Sequence, residues 1–113
     1  MNGKCSAPTV DPRILARLNC PLEEIAKLCE KFGVTELSVF GSVVRDDFRD
    51  DGSDIDFLYV FNPNIKIGYN ELFDIEEAFS KLVGRKIDFV SKKWMGKRFE
   101  QHVLPIAQVI YAA

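Results

Sequence analysis

Asp54 and Asp56 are separated by one apolar residue and run into Phe57-Leu58-Tyr59-Val60-Phe61, eleven residues after a Gly41-Ser42 pair. In a strand, residues two apart share a face and stand about 6.6 Å apart. Asp54 and Asp56 would therefore point the same way. The run beyond them is apolar at every position, as in a strand buried on both faces. Two carboxylates at the mouth of such a strand call for a cation. A third acid, Asp88, sits in the short apolar stretch Lys86-Ile87-Asp88-Phe89-Val90.

If the two strands are neighbours joined by a helical crossover, three carboxylates converge at one end. Hard oxygen donors of this kind suit Mg2+ or Mn2+ rather than zinc, and Mg2+ is commonly shared between one or two carboxylates and substrate phosphates. The implied substrate is a nucleoside triphosphate. In a two-metal transfer Asp54 and Asp56 would hold the ions, and Asp88 would bind the metal beside an acceptor hydroxyl and help remove its proton. Gly41 would let the backbone approach a phosphate, while Ser42 would offer a hydroxyl and an N–H at a helix N-terminus.

The elements that must position these residues follow from periodicity. From Pro21, Leu22, Ile25, Ala26, Cys29 and Phe32 recur at helical spacing until Gly33. Glu36 to Phe40 reads as a strand, and Gly41-Ser42 turns into a brief helix over Val43 to Phe48. A polar loop precedes the strand Asp54 to Phe61. A second helix spans about Glu71 to Val83, with Leu72, Ile75, Phe79 and Leu82 on one stripe and Gly84 as its stop. Lys86 to Val90 is a third strand, Trp94 to Leu104 is expected to be helical, and Gln108 to Tyr111 adds an edge strand. Residues 1–20 read as an N-terminal tail with one helical turn around Ile14, Leu15 and Leu18, and residues 21–113 as one domain. Trp94 and the phenylalanines are expected in the core, and the lone His102 is read as structural or exposed.

The 113 residues are 47% apolar and 28% charged, which describes an ordinary globular domain. A net charge of −2 gives no overall electrostatic case for nucleic-acid binding. Acids crowd between Asp46 and Asp56, whereas Arg85, Lys86, Lys92, Lys93, Lys97 and Arg98 come later and would suit either a phosphate-facing rim or an ordinary solvated surface. Cys5, Cys20 and Cys29 form no CxxC and no zinc spacing, so they read as free thiols of a reducing cytoplasm, Cys29 as a core residue. No apolar run reaches membrane-spanning length, and no apolar leader segment stands at the N-terminus.

Val39-Phe40-Gly41-Ser42-Val43-Val44-Arg45, followed by Ser53-Asp54-Ile55-Asp56-Phe57-Leu58, closely resembles the minimal nucleotidyltransferase family of the polymerase-β-like superfamily. Its GSxxR start, DxD pair and third acid map onto Gly41, Ser42, Arg45, Asp54, Asp56 and Asp88. Gly84-Arg85-Lys86-Ile87-Asp88-Phe89-Val90 resembles the segment carrying that third acid. The resemblance covers about Leu22 to Tyr111, with eleven residues between Ser42 and Asp54 where the commonest pattern has ten. It implies an α+β, palm-like fold with a mixed β-sheet packed against helices. It also implies Mg2+-dependent transfer of AMP from ATP to a hydroxyl, with Arg45 near the site. Members are frequently antitoxins paired with a HEPN-domain toxin, whose tyrosine they modify, and a homo- or hetero-oligomer is compatible with that reading. Two alternatives stand beside it, a module that neutralises its partner by occlusion and a small-molecule nucleotidyltransferase of the aminoglycoside type. The chain has no room for the drug-holding domain of the latter.

Overall fold

The computed structural model describes residues 10–45, 48–49 and 52–113. Cys5 and the acids Asp46, Asp47, Asp50 and Asp51 lie outside the described residues. Helix α1 (Pro12–Leu18) begins where Pro12 sets the first helical φ and the Asp11 carboxylate accepts the Arg13 N–H at 2.8 Å. It ends at Asn19 in the left-handed region. Helix α2 (Leu22–Phe32) starts one residue after Pro21 and stops at Gly33, whose φ of +78° lets its N–H turn back to the Cys29 carbonyl. Strands β1 (Val34–Phe40) and β2 (Ile55–Phe61) flank a single 3-10 turn, Gly41–Val44. Helix α3 (Tyr69–Val83) and strand β3 (Ile87–Ser91) follow, then the short helix α4 (Lys97–Val103) and strand β4 (Gln108–Ala112).

The sheet runs β3-β2-β1-β4, with β2 and β3 parallel and the other neighbours antiparallel. This is the α+β class with a mixed sheet that the sequence implies. The β2 and β3 strands are parallel because α3 carries the chain back between them. One face of the sheet packs on α1, α2 and α3. Its core includes Ile14, Leu18, Ile25, Cys29, Leu37, Val39, Ile55, Phe57, Ile75, Phe79 and Ile110. The other face carries a smaller cluster of Phe40, Leu58 and Val103, with Val90 and Met95 against it. β2 is thus covered on both faces, as its unbroken apolar run requires. Phe57, Phe79 and Phe89 interlock with centroids 5.5–6.3 Å apart, and Tyr59 stacks on Phe89 at 4.3 Å.

Three differences from the sequence reading have local causes. The segment around Ile14 forms two helical turns rather than one, and Leu18 is fully buried, because α1 covers ground that α2 and α3 leave open. Of the brief helix expected over Val43 to Phe48, residues 46 and 47 lie outside the described residues; Val43 and Val44 belong to the 3-10 turn, and Arg45 and Phe48 stand outside any helix. Helix α4 begins at Lys97 rather than Trp94, so Trp94 stays 80% exposed instead of joining the core, and of the phenylalanines Phe73 on α3 and Phe99 on α4 are exposed as well. Cys29 is buried as expected and Cys20 half-buried, and burial pushes the Cys29 thiol up to about 12. His102 is exposed in the last turn of α4. Among the described residues no helix is long and apolar enough to cross a membrane.

Candidate active site

Parallel pairing sets Asp56 beside Asp88 in the same register. Neighbouring strands lie about 4.8 Å apart, so the two carboxyls meet on the α4 face of the sheet. Burial first and then the Asp88 charge push the Asp56 carboxyl up to about 6; Asp54 adds to the rise and Arg45 opposes it. Asp54 precedes β2 and is half-buried, Asp56 likewise, and Asp88 is exposed. Among the described residues no three His, Cys, Asp or Glu side chains gather into a metal cluster. The unit as it stands is therefore the Asp56–Asp88 pair, with Asp54 two residues upstream.

The antiparallel pair Phe40–Asp56 ends β1 directly opposite this acid, so Gly41 emerges against it. Gly41 is buried with φ +74°, and a Cβ on it would overlap the Asp56 carboxylate. Only glycine meets both demands. Sequence reasoning placed Gly41 beside a phosphate; its contact with Asp56 depends on strand register and was not visible in the pattern. Ser42 follows in the 3-10 turn, half-buried, and the turn has no side-chain cap. The helix N-terminus expected at Ser42 is thus a single tight turn with little dipole of its own. The exposed Arg45 closes that turn through its N–H to the Ser42 carbonyl at 3.0 Å.

Hard carboxylate oxygens on adjoining strands, one buried enough to hold a proton, fit a small divalent cation that would displace that proton. Of the basic residues expected to rim the site, Lys92 pairs with Glu36 at 2.8 Å and Lys93 lies over the Trp94 ring. Two arginines bound the loop between Val44 and Ile55. Arg17 donates to the carbonyls of Val43 (2.9 Å) and Arg45 (2.7 Å). Arg85 donates to those of Ser53 (2.8 Å) and Arg49 (3.3 Å). Arg17 drew no attention in the sequence, because an arginine on a short helix carries no signal of what it will reach.

Residues 22–109 match the family described as nucleotidyltransferase domain. The protein adenylyltransferase MntA of Thermococcus cleftensis is 34% identical over 87 residues, which cover 75% of this chain and 81% of that protein. A solved toxin–antitoxin structure with AMP-PNP superposes with TM-score 0.66 at 15% identity, covering 81% of this chain and 73% of its own. A chain of the Shewanella oneidensis complex of tri-AMPylated HEPN toxin with MNT antitoxin superposes with TM-score 0.60 at 14% identity, covering 88% and 73%. At such identities these structures speak for the fold, while the family match and the archaeal relative speak for descent. With an acid pair, a Gly-Ser turn and this sheet order in one chain, the protein belongs to the nucleotidyltransferase domain family and is an enzyme of that kind.

Proposed function

We propose that this chain transfers AMP from ATP to a hydroxyl, a tyrosine of a HEPN-domain toxin, and thereby acts as its antitoxin. One observation carries the reading: Asp56 and Asp88 stand in register on parallel strands, with the Cβ-less Gly41 against Asp56. Asp54, Asp56 and Asp88 are the carboxylates we assign to hold Mg2+. The bound ion would supply charge neutralisation on the triphosphate and acidify the acceptor hydroxyl.

Gly41 and Ser42 bind the phosphates, since the turn leaves backbone room and offers the serine hydroxyl. Arg45 adds positive charge beside them. The acceptor oxygen attacks the α-phosphorus, the bond to the bridging oxygen breaks, and pyrophosphate leaves. Asp88, the most exposed of the three acids, takes the acceptor proton, and Asp56 and Asp54 keep the reacting groups in line. The names of the Thermococcus relative and of the Shewanella complex support the AMP group and the partner class.

Separate incubations with ATP labelled at the α- or the γ-phosphate test this reading. Label from the α-position alone should reach the partner protein, and Asp56→Asn and Asp88→Asn should abolish it. Label from the γ-position would make the protein a phosphoryl transferase instead.

A further inference from the structure

The two halves of the site are joined by the segment between Val44 and Ile55, of which Arg45, Phe48, Arg49 and Gly52 to Asp54 are described. Gly41 and Ser42 follow β1, Asp54 precedes β2, and Arg49 and Ser53 are tied to each other. The Ser53 N–H reaches the Arg49 carbonyl at 3.0 Å, and the Arg49 N–H reaches the Ser53 hydroxyl at 2.8 Å. These bonds tie Arg49 to Ser53. Arg17, Phe48 and Arg85 tie the described residues of the segment to the rest of the fold.

Arg17 of α1 fixes the near end through the Val43 and Arg45 carbonyls, and Arg85 fixes the far end through the Arg49 and Ser53 carbonyls. Both guanidiniums lie over one ring, Phe48, at 5.0 and 4.8 Å from its centroid. Phe48 packs on the main core. A guanidinium is a rigid planar fork that can donate to two carbonyls while its plane lies over a ring, whereas a lysine ammonium is a point charge on a flexible stem and does not hold that arrangement as firmly. Ser53 is next to Asp54 in the chain, and Arg85 is three residues before Asp88.

We propose that Arg17, Phe48 and Arg85 form a clamp that registers Asp54 against the Gly41-Ser42 turn, which makes them positioning residues for divalent-ion binding. The inference rests on the functional reading above for its purpose, and on the contacts alone for its existence. α1 is therefore part of the site's support. A change at either arginine frees one end of the loop, and a change at Phe48 uncouples both.

The test uses the full chain, with Mn2+ alone as probe and hydrogen exchange of amides 52–55 as a second readout. Phe48→Leu should speed exchange at those amides by about tenfold or more, leaving the centres of β1 and β2 protected. It should weaken Mn2+ binding by about tenfold, the usual scale for a lost supporting contact around a metal site. Phe48→Tyr, which restores the ring, should return both towards wild type. Arg17→Lys and Arg85→Lys keep the charge and should still show both losses. Arg85→Ala removes a cation near acids, so electrostatics alone would tighten Mn2+, whereas the clamp predicts weakening. Should Phe48→Leu fail to fold, the lysine variants decide.

Mn2+ affinity within about twofold of wild type together with unchanged exchange at 52–55 would overturn the clamp, as would a uniform rise in exchange across the sheet. If wild type moves no label from ATP while these variants still lose Mn2+ and protection, the functional reading falls and the clamp stands. If wild type is active and the variants match it in all three readouts, the clamp alone falls.

Discussion

Replacing Gly41 by alanine perturbs the site through one carbon atom. The residue has φ +74°, where an L side chain costs about 1–2 kcal/mol. Gly84 has nearly the same conformation, φ +73°, with no atom within 4 Å of where a Cβ would stand. Gly84→Ala therefore reports the backbone cost alone, a fall in Tm of roughly 4–12 °C. Gly41→Ala carries that cost and also forces the Asp56 carboxylate aside. A reacting group displaced by about 1 Å loses about a hundredfold in rate, or about 2.7 kcal/mol of barrier. Thermal melts and initial rates of AMP transfer at saturating ATP separate the two effects. Both variants should melt early, but only Gly41→Ala should lose about two orders of magnitude in rate. In an Asp56→Ala background, where the obstructed carboxylate is gone, Gly41→Ala should cost stability no more than Gly84→Ala does. Equal rates for Gly41→Ala and Gly84→Ala would refute the argument that Gly41 is required because of Asp56.

Asp56 holds its proton to about pH 6 in the fold against an ordinary value of 3.8, so folding takes up a proton between those values and stability falls as pH rises through that window. In metal-free buffer Asp56→Asn should therefore raise stability above pH 6, by about 1 kcal/mol after allowance for solvent screening. The advantage should vanish below pH 4; denaturant melts that show no gain, or a gain that does not grow with pH, would contradict it. Leu18, fully buried in the core under α1, should cost about 2–5 kcal/mol when changed to alanine. Urea melts showing less than about 0.5 kcal/mol, the range of an ordinary surface change, would mean that α1 is not integral to the fold.

Much of the fold was legible because its signals are local. Glycines at 33 and 84 end helices α2 and α3 where the apolar stripes stop, and the unbroken run Phe57 to Phe61 marks a strand covered on both faces. The pairing of Asp56 with Asp88 was also within reach, since a parallel strand after a crossover helix brings like positions together. What stayed hidden depends on tertiary contact. Phe48 reads as the last residue of a brief helix, and only the approach of α1 and of the β3 entry shows it to be a plate for two arginines. Trp94 carries an apolar signal, yet the late start of α4 leaves it outside. The Ser42 junction was misjudged in kind, because a 3-10 turn and the first turn of an α-helix share the same residues.

The most direct test of the account is intact mass of the neighbouring gene's product after incubation with this protein, ATP and MgCl2. The chain as it stands should be compared with its Asp54→Ala/Asp56→Ala variant. The account predicts a gain of one or more whole AMP units on the partner that disappears with the double variant. A partner that binds tightly, is neutralised and gains no mass would contradict it, leaving occlusion as the way the chain acts.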